Sequence, residues 1–331
     1  MTSETAQSRD FKALAVAYGQ KYGILMALLL VCVVLTFANE YFLTTRNIVN
    51  VLRQTSINGI LAIGMTFVIL TRGIDLSVGS VVALAGVVSA SLATTSTNAA
   101  AFGGPYPALI ALGVGLIVGI GAGWLNGIFV ARFNVPAFVA TLGMLSAARG
   151  LTLLYAGGQP VPALTSGYRF IGRGDIFGIP MPVVLFAAVF IVAQWVLSST
   201  RFGRRVYAVG GNPHAARVSG INVQRVTLLV YVIAGGLAGL AGMILAARTG
   251  SALTQAGIAY ELDAIAAVVI GGTSLSGGVG RVTGTLIGAL LIAVVNNGLD
   301  LMGVESYYQQ VIKGALIVAA VMLDRARHKK G

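Results

Sequence analysis

Asp75 lies in TRGIDLSVGS, residues 71–80, between the apolar runs GILAIGMTFVIL (59–70) and VVALAGVVSASLA (81–93). Glu261 and Asp263 stand at the start of another apolar run, near 262–273. The chain has only ten acids in 331 residues, so these three invite a chemical reading. A carboxylate held in an apolar layer is costly and marks an ion or proton path by default. Each of the three, however, is expected near a block end, where water reaches. The competing reading of Asp75 is local: Asp75 or Ser77 accepts backbone N–H bonds at the start of the next helix, or Asp75 pairs with Arg72. Other chemistry is thin. His214 and His328 are far apart in basic loops, and no His, Cys and carboxylate cluster has metal-ligand spacing. No Lys precedes Ser or Thr, so the phosphate-cradling loop GxxxxGKS/T is missing. An enzyme is not expected, nor a metal or cofactor in this chain. Cys32 is the only cysteine, which excludes a disulfide framework.

The elements that must position these residues follow from composition. Hydrophobic residues make up 56% of the chain and charged residues 10%. A soluble domain carries about 25% charged residues. The expected fold is an all-α polytopic membrane protein, because helices pair their own backbone groups in lipid. Ten apolar blocks are expected as spans: about 22–38, 56–71, 78–97, 106–131, 136–155, 181–198, 226–247, 262–273, 282–297 and 309–323. Several fall short of the roughly 20 residues that cross a bilayer. Block 262–273 is the clearest, and short Gly-interrupted spans point to broken or re-entrant helices. The polar start, residues 1–22, is too long for a cleaved signal peptide and reads as an N-terminal segment. Residues 23–323 form the membrane domain and 324–331 a basic tail.

The net charge of +12 could suggest nucleic acid, but the basic residues lie in loops between apolar blocks. With both termini inside, fifteen of the 22 Lys and Arg fall on the inner side and five on the outer; Arg149 and Lys313 fall within spans. The longest inner loop, 199–225, separates five blocks from five. Within it, NPHAARVSG can form about two helical turns. Asn212 suits the N-cap, Pro213 the first helical position and Gly220 the close. Such a helix could dock a soluble partner; the other reading is a basic loop held to anionic lipid.

A repeat is one further reading. RGIDLSVGS (72–80) lies over GGTSLSGGVG (271–280), matching Gly73 to Gly272, Leu76 to Leu275, Ser77 to Ser276 and Gly79 to Gly278, with Ser274 opposite Asp75. A weaker echo sets NGIFVARFNVPAF, from Asn126, over NGLDLMGVESYY, from Asn297. Two related halves around a central path would explain this. Chance similarity of Gly-rich apolar segments is the alternative.

Five stretches in order then suggest a family: FLTTRNIVNVLRQTSINGILAIGMTFVIL, GIDLSVGS, AVGGNPHAARVSGINV, YELDAIAAVVIGGTSLSGGVGRVTGTLIGALL and NNGLDLMGVESYYQQVIKG. Together they resemble the permease subunits of bacterial ABC sugar importers, of the ribose, allose and xylose type, from about Phe42 to Asp324. Arg72 departs from that pattern, where a small residue is more usual. The resemblance implies a multi-pass protein of the bacterial inner membrane with both termini cytoplasmic. It implies a homodimer, a cytoplasmic ATPase subunit that binds ATP and Mg, a periplasmic sugar-binding protein and a monosaccharide substrate. It places the coupling of the ATPase at Gly210, Gly211, Asn212, Ala215, Ala216, Arg217, Gly220 and Ile221. Structural or pathway roles are expected of Gly73, Asp75, Ser77, Gly79, Glu261, Asp263, Gly272, Ser274, Ser276, Asn296 and Asn297. The alternative is an ion-coupled secondary sugar transporter using Asp75, Glu261 and Asp263.

Overall fold

The computed structural model describes residues 23–305, 307–315, 318 and 322. The expected segments 1–22 and 324–331 lie outside the described residues, as does part of the last apolar block. The helices are α1 (Gly23–Ala38), α2 (Thr45–Leu70), α3 (Val78–Ala93), α4 (Ala108–Ala131), α5 (Ala137–Ala156) and α6 (Ser166–Arg173). A two-residue ribbon, β1 (Asp175–Ile176) against β2 (Ile179–Pro180), precedes α7 (Met181–Ser199). Then come α8 (Arg201–Gly211), α9 (Pro213–Val218), α10 (Val223–Thr249), α11 (Tyr260–Ile270) and α12 (Val282–Leu301). Helical backbone resumes over 307–315.

Among the described residues, six helices are long and apolar enough to cross a membrane: α2, α4, α5, α7, α10 and α12. α1 and α3 are shorter apolar helices. α11 has 11 residues, so it is about 16 Å long, roughly half the apolar thickness of a bilayer. Block 262–273 is therefore a half-length helix among the full-length ones.

α2 begins well before the apolar block expected from 56. The Thr44 hydroxyl accepts from the Asn47 N–H and starts the helix within polar sequence. That polar end is not all solvated. Asn47 is buried, and its side-chain amide and that of Asn297 on α12 exchange hydrogen bonds of 2.9 and 2.8 Å. From Thr55 to Leu70 every α2 residue is buried, so α2 is the centre of the bundle. It packs on α7, α10, α11 and α12. Such a helix can be apolar all round because no face meets water.

α10 packs on α2, α3 and, most extensively, α4. Along α4, Gly115, Gly119, Gly123 and Gly127 recur at four-residue spacing; Gly119 and Gly123 lie against Gly235 and Gly239 of α10, Gly115 against Met243 and Gly127 against Leu228. Small residues at this spacing let membrane helices touch through their backbones. A Cβ on Gly119 would stand 2.4 Å from the Gly235 carbonyl oxygen. Gly119→Leu is therefore expected to push α4 off α10 and cost about 1–3 kcal/mol. The check is the thermal midpoint of the purified protein in detergent; an unchanged midpoint would show that the helices do not touch there.

The bundle has two distinct ends. At one, the chain segment after α2, the end of α8 and the segment after α11 meet: the Gly278 N–H donates to the Leu70 carbonyl at 2.9 Å. At the other, Thr94 bridges to Leu164 and Val161 to Ala252. There Arg173 also donates to the carbonyls of Arg248 and Thr249 at the end of α10.

Candidate functional site

The segment after α2 closes the helix and then runs into the bundle. The Arg72 N–H donates to Ile69 O at 2.9 Å and the Gly73 N–H to Val68 O at 3.0 Å. This is the double-bonded helix ending whose first outside residue is left-handed; here that residue is Arg72, with φ 66°. Asp75 follows and is 1% exposed. Its Oδ1 accepts from the Ser77 N–H at 2.9 Å and the Ser77 hydroxyl at 2.6 Å. Asn126 of α4 donates to the Ser77 oxygen at 2.9 Å. Thr141 of α5 donates to the Ile74 carbonyl at 3.3 Å.

Two expectations about Asp75 are corrected here. It does not lie where water reaches, because α4 and α5 cover the segment. Nor does it pair with Arg72, whose guanidinium turns the opposite way. Asp75 instead forms the turn that admits α3, and an amide oxygen can do the same. Asp75→Asn is expected to keep the thermal midpoint of the purified protein near that of wild type, whereas Asp75→Leu leaves a buried N–H unpaired at a cost of about 1–3 kcal/mol. A midpoint lowered as far in Asp75→Asn as in Asp75→Leu would overturn the turn-forming role.

The second copy of the motif builds the same turn. The Gly272 N–H donates to Val269 O at 2.9 Å and the Thr273 N–H to Val268 O at 3.1 Å. The Ser276 N–H donates to the Ser274 hydroxyl at 3.2 Å, as Ser77 does to Asp75. Gly272 is left-handed, with φ 88°. By geometry Arg72, not Gly73, is its counterpart, so the alignment shifts by one residue within the motif. The copies diverge after Ser276: α3 starts at Val78, but α12 only at Val282. They meet at one end of the bundle through Gly278 and Leu70. The weaker echo does not extend the likeness. Asn126 serves this end of the bundle, whereas Asn297 joins Asn47 near the start of α2.

The 199–225 loop holds two helices. The Thr200 hydroxyl accepts from the Gly203 N–H and starts α8, which runs through Gly210 and Gly211. The Asn212 side-chain oxygen accepts from the N–H groups of His214 and Ala215, each at 3.0 Å, and starts α9. Pro213 occupies its first turn. Gly220, at φ 81°, lets the Ile221 N–H return to Ala216 O at 3.0 Å. Gly211, Asn212, Ala215, Arg217 and Gly220 are exposed. Gly210 and Ala216 are buried, and Ile221 is half-buried. Val218, at 77% exposure, is an exposed apolar side chain that sequence reasoning missed. Its only signal is an apolar side chain at the end of an otherwise polar helix.

The other two candidate acids, Glu261 and Asp263, lie in the first turn of α11, where the helix dipole favours negative charge. Asp263 is buried and meets the Lys313 ammonium at 3.1 Å. Asn296 of α12 reaches the same carboxylate oxygen at 3.4 Å. Arg149 of α5 donates to the Thr254 carbonyl at 2.6 Å. Of the two cations expected inside spans, Lys313 thus meets an acid of α11, whereas Arg149 bonds to a backbone carbonyl. Glu261 also abuts Gly79 at the start of α3. Asn296 and Asn297 are 4% and 3% exposed, and both amides bond between helices rather than facing an open path within the chain.

Comparison with known proteins follows this geometry. Residues 47–321 match the family model described as branched-chain amino acid transport system / permease component. The chain is 46% identical to the ribose import permease protein of Escherichia coli (strain K12) over 331 residues, covering 99% of this chain and 100% of the relative. It is 46% identical to the ribose import permease protein of Bacillus subtilis (strain 168) over 310 residues, covering 93% and 94%. It is 39% identical to the galactose/methyl galactoside import permease protein of Escherichia coli (strain K12) over 326 residues, covering 95% and 96%. No solved structure matches the chain. A helical bundle with apolar spans, a broken central segment and a helical hook at one end thus has full-length permease relatives, and the chain belongs to the branched-chain amino acid transport system / permease component family.

Proposed function

We propose that this chain is the membrane permease subunit of an ATP-driven ABC importer, and that its cargo is ribose. The observation that carries the reading is full-length identity of 46% to ribose import permeases of two bacteria. Identity to the galactose and allose permeases is lower, at 39% and 38%. A neutral sugar needs no counter-charge, which agrees with acids that are spent inside the bundle.

The division of labour follows from the residues. The chain has no nucleotide loop, so ATP and Mg belong to a cytoplasmic ATPase subunit. α9 is the helix that docks it, because it is short, capped at Asn212 and presents Ala215, Arg217 and Val218 outward. The end bearing α9 is cytoplasmic, since Arg201, Arg204, Arg205, Arg217 and Arg225 gather there. The opposite end then faces the periplasm and a sugar-binding protein. It offers a recess of about 730 Å³ whose lining includes Ser91, Asn98, Tyr155 and Gln159. With α1, α3, the half-length α11 and the last helix counted beside the six long ones, the chain has ten membrane segments. A second copy completes the pathway. The exposed face of α5, which includes Gly143, Ser146 and Ala147, suits close packing against it.

The test is reconstitution in proteoliposomes with the cognate ATPase and sugar-binding protein. ATP-dependent ribose uptake is expected only when all three are present. ATP hydrolysis that ignores the ribose-loaded binding protein would overturn the importer reading.

A further inference from the structure

Arg72 occupies a backbone position that disfavours it. Its φ of 66° lies in the left-handed region that non-glycine residues rarely adopt. The matching position of the second copy is Gly272. A glycine would serve the backbone better, so what the arginine contributes is its side chain.

That side chain reaches the end of α8. Nε donates to the Gly210 carbonyl at 2.6 Å and the outer guanidinium nitrogen to the Gly211 carbonyl. These are among the last carbonyls of α8, which lack partners inside the helix. A cation there also meets the negative end of the helix dipole. The next residue, Asn212, caps α9. The arginine stem covers Gly277: a Cβ there would lie 2.4 Å from the Arg72 Cγ. Gly210 itself is pressed against the end of α2, since a Cβ on it would lie 1.7 Å from the Leu70 oxygen. Both motif copies and the α8–α9 corner therefore meet on one side chain.

We propose that Arg72 is a positioning residue that latches the α8–α9 corner to the broken segment between α2 and α3. A displacement of α9 is then carried through Gly210 and Gly211 to Arg72. From Arg72 it passes along Ile74 and Asp75 to the start of α3 and its partner Asn126 on α4. Two parallel donors on one planar group hold the corner in orientation as well as in distance, which a lysine ammonium does less well. The latch rests on the reading of α9 as the ATPase-docking helix.

Arg72→Gly separates the two roles of the residue, because it relaxes the backbone and removes the guanidinium. In the purified full-length permease alone, amide exchange at 209–212 and 277–279 is expected to rise by roughly tenfold or more. Thermal stability of the bulk fold is expected to be retained. In proteoliposomes with the ATPase and ribose-loaded binding protein, ATP hydrolysis is expected to continue while ribose moved per ATP falls about fivefold or more. Arg72→Lys is expected to fall between Arg72→Gly and wild type. Unchanged exchange, or an unchanged ribose-to-ATP ratio, would overturn the latch. Wild-type uptake that does not require ATP would overturn the importer reading instead, and the exchange experiment would still decide whether Arg72 holds the corner.

Discussion

Lys313→Met is expected to unfold or strongly destabilise the permease. Its ammonium meets Asp263 at 3.1 Å, and the Asp263 side chain is 5% exposed. Removing one partner of a buried ion pair leaves the other charge without compensation, at a cost of about 3–5 kcal/mol. Asn296 still reaches the carboxylate, but one neutral amide donor does not replace a cation. α11 suffers first, since its 11 residues are too few to hold a bilayer position unaided. The check is the thermal midpoint of the purified variant, with the double variant Asp263→Asn, Lys313→Met beside it. The double variant is expected to recover most of the loss, because no charge is then left unpaired. A single variant as stable as wild type would show that the pair contributes nothing.

Ala215→Asp is the second large effect, and it falls on transport rather than folding. Ala215 is exposed on α9, and its N–H is already capped by Asn212. An acid in the first turn of a helix agrees with the dipole, so α9 itself is expected to persist. A partner subunit closing over α9 would have to bury the new carboxylate without a matched cation. ATP-driven ribose uptake is expected to fall more than about tenfold, the scale of leaving an interfacial charge unpaired. The measurement is uptake in proteoliposomes together with the affinity of the ATPase for the purified variant. Wild-type values for both would remove α9 from the coupling. Ala216→Asp is not an equivalent test. Ala216 is 4% exposed, so a carboxylate there would damage the packing beneath α9 before any partner arrives.

Much of this was legible in the residues. The membrane class followed from composition, since no soluble domain spreads so few charges between such long apolar runs. The cap of α9 was readable from Asn212, Pro213 and Gly220, because a short capped helix is decided by local bonds alone. The repeat was readable too, because glycines and hydroxyl residues mark helix endings. Its register was not, because a left-handed arginine looks like any other arginine in sequence. The start of α2 was hidden for a related reason: hydropathy records side-chain polarity, while Asn47 satisfies its polarity inside the bundle on Asn297.

The sequence by itself determined the membrane class, the family and the cap of α9, all properties of neighbouring residues or of their sum. The tertiary structure decided what the charged residues do. Arg72 stands three places from Asp75, yet it bonds across the bundle to Gly210 and Gly211, while Asp75 turns inward to Ser77 and Asn126. Asp263 is satisfied by Lys313, fifty residues away. In lipid a charge cannot fall back on water, so it takes whichever partner packing brings within reach. That partner depends on how helices cross, and not on how residues are spaced along the chain.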